Sequence, residues 1–509
     1  MDLISISHSK MKMKMKKFSK YLMIGITSLV AFSSCDDYLD VNEDPNNPSS
    51  EIVKPEIVLA STQVYTYSPL ARQMNQLGNL MMNNWARDVG ASNSSYYFNE
   101  QTYNVTSEFY SSIWETLYIR TSNYTFIQNT TDSGYDNYKA IAKIMKSFYF
   151  QYLVDLYGNI PYSEAHKRGD NLTPAYDNAI DVYRDLIVQL DQAIDLIENA
   201  PAGSLKPGAN DVMLQGDMDM WVKFANSTKL RILLRESERA ASSAYVSSKI
   251  NEMQQNGAEF LGPDDNVKIN PGYAASENQQ NPFAALFLNF NNGTVNNYAS
   301  TAATRYTITY LTNTNDTRRN RIYSAASNGQ YAGHQQGDVL SPTTNYPVSH
   351  VGPGLLVNSA QDGIVFTAAE SLLLQAEAVQ RGYLNGSAKD LYESAITESY
   401  KFLGLTATQA TAYYSQTLPL VGWSASGGRE IEAIINQKWI ALNGINGVET
   451  WIENTRTGFP AHVPLSTVAP GTSRPIRLLY PSSEITGNTA NVPRQAESEA
   501  FTSKIFWNE

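Results

Sequence analysis

Cysteine is all but absent: Cys35 is the only one in 509 residues. A lone cysteine excludes an internal disulfide and any multi-cysteine metal site. Histidine is nearly as scarce. The five (His8, His166, His334, His350 and His462) are scattered, and none has another at i+3 or i+4 to share a metal ion. They read as surface or structural residues. No Gly-rich phosphate loop, dinucleotide fingerprint or G-x-S-x-G elbow is present. Acidic residues abound, yet no pair stands out as the acid and base of a glycosidase. Catalysis is therefore not expected, nor is a cofactor. The net charge of −11 argues against nucleic acid as a partner, since phosphates demand clustered Lys and Arg. Beyond the N-terminus no apolar run approaches the ~20 residues that span a bilayer.

The N-terminus is where the chain departs from this plainness. Lys10, Lys12, Lys14, Lys16, Lys17 and Lys20 precede the uncharged run Tyr21 to Phe32, and Phe32-Ser33-Ser34-Cys35 follows. Basic flank, short apolar region and small-residue exit describe a secretory signal over residues 1–34. Cleavage there makes Cys35 the first residue of the mature protein, and the tetrapeptide resembles a bacterial lipobox. Acyl chains on Cys35 would anchor the protein, at ~0.8 kcal/mol per buried methylene. Five of the next nine residues are acidic (Asp36, Asp37, Asp40, Glu43 and Asp44), and Pro45-Asn46-Asn47-Pro48 follows. Residues 35–50 thus read as anchor and solvated tether. Acids directly behind a lipid cysteine also resemble a surface-export signal. Residues 51–509 are expected to form a single domain.

Its middle is helical in pattern. Tyr138, Ile141, Met145, Phe148, Tyr152 and Leu156 recur at spacings of three and four until Gly158 and Pro161. Similar stripes run from Ile180 to Ile197, from near Asp219 onward, and over 365–382, 389–404 and 429–443. Asp177, Asp181, Asp185, Asp191 and Asp195 read as one solvated face. Glu370 and Glu377 fit either buried or surface acids. Ala388, Tyr392 and Ala395, echoed by Ala179, Tyr183 and Leu186, approximate the second helix of a tetratricopeptide unit, where a small residue and an aromatic let paired helices approach. Residues 262–316 and 456–509 are instead rich in Asn, Gly, Pro or Tyr. Such stretches suit functional surfaces with short strands and turns, and Arg305 to Tyr310 is predicted to be one of the strands.

Several segments add up to a family. They are Asp155-Leu156-Tyr157-Gly158-Asn159-Ile160-Pro161-Tyr162-Ser163-Glu164-Ala165, the stretch Asp211 to Arg235, and Leu374 to Tyr383. Then follow Gln437 to Leu442, Glu449-Thr450-Trp451-Ile452-Glu453, Arg456-Thr457-Gly458, Arg477 to Pro481 and the terminal Phe506-Trp507. In this order, behind a lipobox, the chain resembles the SusD/RagB nutrient-binding lipoproteins of Bacteroidota, in particular the SusD-like branch. Most of these residues read as scaffold, with Trp221, Trp439 and Trp451 filling gaps between helices. The resemblance implies a mainly α fold of about four tetratricopeptide-like helix pairs, with a loop-rich irregular half facing the ligand. It implies an outer-membrane, lipid-anchored protein facing the cell exterior, and a TonB-dependent β-barrel partner of the SusC type. The expected cargo is an oligosaccharide, with a peptide as the alternative. A surface hydrolase and a structural adhesin are weaker readings, disfavoured by the missing motifs and by the full-length resemblance.

Family motifs do not locate the ligand, so chemistry must. Sugars present apolar C–H faces ringed by hydroxyls, which aromatic rings and amide, acid or Arg groups meet together. Two aromatic, Asn-rich segments fit. Residues 83–103 carry Trp85, Tyr96 and Tyr97; residues 289–310 carry Tyr298 and Arg305. These five are the candidate ligand contacts. The competing reading is that Trp85 and Phe98 cap the core of the first helices.

Overall fold

The protein was analysed as a computed structural model that describes residues 53–91 and 95–509. The signal segment, Cys35 and the acidic tether lie outside the described residues. The chain divides into two units, Met1–Lys54 and Pro55–Glu509.

Helices of seven residues or more are α1 (Pro55–Pro69), α2 (Asn75–Met81), α3 (Ser111–Gln128), α4 (Asp136–Tyr157), α5 (Ala179–Glu198), α6 (Met218–Arg235) and α7 (Ser243–Gln255). They continue with α8 (Arg305–Asn313), α9 (Ala368–Gln380), α10 (Ala388–Phe402), α11 (Ala407–Tyr414), α12 (Glu430–Ala441) and α13 (Gly447–Thr457). The periodic stripes thus form helices within a few residues of where they were expected. Their starts are chemical. Asn178, Asp217, Thr367 and Ser387 each accept a hydrogen bond from a first-turn backbone N–H of α5, α6, α9 and α10. Gly158 ends α4 with φ of 80°, a conformation open to glycine.

Neighbouring helices pack in succession: α3 on α4, α4 on α5, α5 on α6, α6 on α7, α9 on α10 and α12 on α13. This is the tetratricopeptide-like scaffold. Ala388, Tyr392 and Ala395 are buried on α10, as are Ala179, Tyr183 and Leu186 on α5. Trp221, Trp439 and Trp451 are buried between elements, as expected of fillers. Where α2 meets α13, a Cβ on Gly78 would stand 1.9 Å from the backbone of Gly447. Only the lack of side chains lets the two helices touch there.

The scaffold also encloses charge. Arg235 reaches Asp155 at 3.3 Å and Glu449 at 2.7 Å, and it pairs with Glu453. Lys438 lies 2.9 Å from Glu449, and Arg456 lies 2.6 Å from Glu453 and 2.8 Å from Glu377. Beside them Arg231 meets Glu370 at 3.1 Å. Trp507 donates its indole N–H to Asp155 at 2.9 Å. Nearly every segment of the family resemblance therefore sends a side chain into this cluster. Glu370 and Glu377 are its buried acids, not surface charges. The acids of α5 are likewise not one solvated face. Asp177, just before α5, accepts from the N–H groups of Tyr162 and Ser163, Asp185 accepts from the Tyr162 hydroxyl, and Asp191 pairs with Lys229, while Asp181 and Asp195 are exposed.

The remainder is loop-rich, with two small antiparallel sheets. β1 (Trp85–Arg87) pairs with β3 (Thr301–Ala303), and β2 (Val267–Ile269) with β4 (Gly363–Phe366). One expectation fails here: Arg305 to Tyr310 is not a strand but most of α8. The Thr304 side chain caps its first turn by accepting from Thr307 N–H, and Ile308 and Leu311, three apart, are buried. Capping and a one-sided stripe outweigh the strand preference of its Thr, Ile and Tyr residues. Residues 456–509 hold short helices and, among the described residues, no strand. No helix among the described residues is long and apolar enough to cross a membrane.

Candidate functional site

The β1–β3 pair is what makes a site. Its register sets Trp85 opposite Ala303, Ala86 opposite Ala302 and Arg87 opposite Thr301. The two segments chosen for their aromatic and amide content thereby become neighbours. Asp88 extends the pairing by donating its N–H to Ser300 O at 2.9 Å. On the other side of β3, Ala303 N–H donates to Ser349 O at 2.7 Å, and Arg305 N–H to His334 O at 2.9 Å. Residues 334 and 349–350 are so drawn against the same strand.

Side chains close the junction. Tyr97 shares a hydrogen bond of 2.6 Å with the Thr301 hydroxyl and reaches Asn297 Oδ1 at 3.3 Å. Tyr97 and Tyr103 flank the short helix Phe98–Thr102 with φ of 55° and 51°. Left-handed tyrosines cost free energy and persist only where surroundings hold them. Tyr96 is half-buried and meets the Tyr97 ring edge-on at 5.8 Å, while Phe98 is 59% exposed.

A row of rings and charges runs from Tyr298 to Arg305. Tyr298 and His350 lie face to face, tilted by 34°, with centroids 5.2 Å apart. His350 donates Nδ1–H to Thr301 O at 2.9 Å, leaving Nε2 at 3.7 Å from Asp88 Oδ2. The buried His334 brings Nε2 to 3.3 Å from Asp88 Oδ1. Burial works to raise the Asp88 carboxyl, but His334, the Gly90 N–H and His350 outweigh it and hold it below the ordinary range. Tyr346 lies over His334 at 5.3 Å, and Arg305 Nη2 reaches Tyr346 OH at 3.2 Å and Asp338 Oδ2 at 3.3 Å. Among the described residues, no group of His, Cys, Asp and Glu is arranged to hold a metal ion.

The five expected contacts divide. Trp85 is not on the surface: it is 1% exposed, packed edge-on against Phe287 at 5.6 Å, so the core reading of this residue is the one the structure adopts. Tyr97 is buried too and serves to pin the two segments together. Tyr96, Tyr298 and Arg305 retain accessible surface, Arg305 most of all. Phe98, expected only as a possible core cap, is exposed instead. His334, His350 and Tyr346 were not foreseen. Asp88 and His334 are 246 positions apart, and nothing local marks them as partners.

A family model described as "Starch-binding associating with outer membrane" matches residues 45–481. The chain belongs to the SusD-like family. Members of the SusD-like family are binding proteins associated with the outer membrane. No curated protein matches the chain. Among solved structures, a chitin-binding SusD homolog from Flavobacterium johnsoniae superposes with TM-score 0.71 at 22% identity, over 89% of this chain and 97% of its own. A SusD homolog from Bacteroides fragilis gives 0.70 at 21%, covering 86% and 94%. A SusD-like protein from Bacteroides thetaiotaomicron gives 0.71 at 22%, covering 89% and 98%. At such identities these likenesses speak for the SusD-like fold.

Proposed function

We propose that this protein captures an oligosaccharide at the cell surface and passes it to a TonB-dependent outer-membrane barrel of the SusC type. The observation that carries this reading is the β1–β3 junction, which sets Tyr96, Tyr298, His350, Asp88 and Arg305 around one strand pair, with the exposed Phe98 next in sequence to Tyr97. Rings there meet sugar C–H faces, while the acid, imidazole and guanidinium groups meet hydroxyls. A lipid on Cys35 holds the protein at the outer membrane, and the residues after it serve as a tether between that anchor and the domain.

Soluble protein from Asp36 onward, titrated calorimetrically with starch, chitin and hemicellulose oligosaccharides and with peptides, tests it. Saturable heat from one glycan class, lost in Phe98→Ala and Tyr298→Ala without loss of thermal stability, is expected. Heat from peptides alone transfers the cargo to peptides. Silence from both leaves a structural surface protein as the better account. Copurification of a barrel with the lipidated protein tests the partner separately.

A further inference from the structure

A second cleft, unrelated to the aromatic face, is built for negative charge. It holds about 440 Å³ and is lined by the turn after α4, the start of α5 and the C-terminal segment. Four cations line it, Arg239, Arg477, Arg494 and Lys504, in a chain whose net charge is −11. None makes an ion pair with a described residue. Arg477 is the notable one, being 6% exposed. Its guanidinium donates to backbone carbonyls of Leu478 and Tyr157 and lies beside the Tyr480 ring; no carboxylate is close enough for an ion pair, and Glu499 offsets its charge only in part. Burial accordingly pulls the Arg477 guanidinium below its ordinary pKa. In Arg235 and Arg456, which are buried more deeply still, nearby acids overcome burial and raise it. An uncompensated buried cation is costly unless a counter-charge arrives.

The neutral lining agrees. Asn159 Oδ1 accepts from Ala179 N–H at 2.9 Å, Asn178 Oδ1 from Ile180 N–H at 3.1 Å, and Gln495 Oε1 from Tyr480 N–H at 2.9 Å. Each amide has spent its acceptor on the backbone and retains an unengaged –NH₂ donor. The positive end of the twenty-residue α5 adds to the field. Two acids also line the cleft. Glu499 is engaged by Ala496 N–H and the Ser503 hydroxyl, both at 3.0 Å, and Glu509 is exposed.

We infer that this cleft binds the oxyanion of an anionic group of monosaccharide size, a uronate or a sugar phosphate. Its volume lies within the ~300–1,000 Å³ usual for small-ligand pockets. Arg477 offers Nη1, the terminal nitrogen that no backbone carbonyl engages, to the carboxylate or phosphate, and the amides and exposed cations surround it.

Titration of the soluble protein with tri-galacturonate and with glucose 6-phosphate at low ionic strength tests this, beside neutral maltotriose, any binding of which should be lost in Tyr298→Ala. Saturable binding of either anion is expected, and which one binds identifies the source of the charge. The surface double variant Arg494→Gln/Lys504→Gln should weaken it by about tenfold or more. Arg477→Gln should abolish it, and Phe98→Ala and Tyr298→Ala should leave it unchanged, separating this cleft from the aromatic face. No binding of either anion, or binding that the double variant does not alter, overturns the assignment.

Discussion

Arg456 grips Glu377 with both terminal nitrogens, at 2.8 and 2.9 Å, across 79 positions of sequence and out of reach of water. The same guanidinium donates to Glu453 and to Leu234 O, so one side chain joins α6, α9 and α13. Removing one partner leaves the other buried with fewer counter-charges, Arg381 for Glu377 and Glu453 for Arg456. Glu377→Ala and Arg456→Met are each expected to cost ~3–5 kcal/mol. The double variant should lose less than the two singles summed, by ~0.5–3 kcal/mol, as contacting residues do. Urea denaturation of the four proteins measures both. Additive losses would show that the pair is not coupled.

The same cluster sets the response to acid. Burial works to raise Glu377, Glu449 and Glu453. Arg456 with Arg381, Arg235 with Lys438, and Arg456 with Lys438 respectively outweigh it and hold all three below their ordinary range. Carboxyls depressed in the folded state contribute stability that is complete above the unfolded value, ~4.3, and is lost as pH falls through the folded ones. Asp155 works in the opposite sense. Burial, against Arg235, pushes it up to about 6, so its contribution is present at low pH and lost as pH rises through 6. Glu370, which burial raises against Arg231, acts in the same sense as Asp155, so three depressed acids stand against two raised ones, and Tm should fall on acidification below ~4.5. Glu377→Gln should shallow that fall, and Asp155→Asn should remove a loss of stability between ~4 and 6. A Tm profile flat below ~4 would contradict the sign for the glutamates, and no gain in Tm above ~4 from Asp155→Asn would contradict the sign for Asp155.

Trp85 and Phe98 should behave oppositely. Trp85→Ala empties a fully buried position and is expected to cost ~3–5 kcal/mol. Phe98→Ala changes a surface ring and should stay within ~0.5 kcal/mol while weakening glycan binding. Thermal melts beside calorimetry separate the two. Equal stability losses would place Phe98 in the core.

Helix contact at Gly78 is testable with one methyl. Gly78→Ala puts a Cβ 1.9–2.1 Å from the backbone of Gly447 and Val448, so α2 and α13 must part. A loss of ~1–3 kcal/mol or more is expected, read as a lowered urea midpoint. An unchanged midpoint would mean that the crossing is looser than described.

Cys35→Ser addresses the anchor. The variant should appear in the soluble fraction and fail to incorporate labelled palmitate, whereas the parent protein should incorporate it and partition with outer membranes. Membrane partition of the variant would rule out Cys35 as the anchor.

Periodicity and composition alone settled the helical scaffold. Stripes such as Val182, Tyr183, Leu186, Ile187 and Leu190 have one way to hide from water, and Gly158 and Pro161 stop a helix by covalent geometry. The family was legible for a related reason: its Trp, Gly and charged motifs sit at fixed points of that scaffold. What those charges do was not legible. Asp155, Arg235, Glu377 and the trio Glu449, Glu453 and Arg456 lie on four separate helices, α4, α6, α9 and α13, and only folding shows that they neutralise one another. The candidate site divides the same way. Loop composition singled out Tyr96, Tyr298 and Arg305 as candidates, and they keep accessible surface, but burial of Trp85 and Tyr97 and recruitment of His334, His350 and Tyr346 depended on β1 pairing with β3. A residue's chemistry is local, whereas its exposure and its partners are set by chain brought from hundreds of positions away.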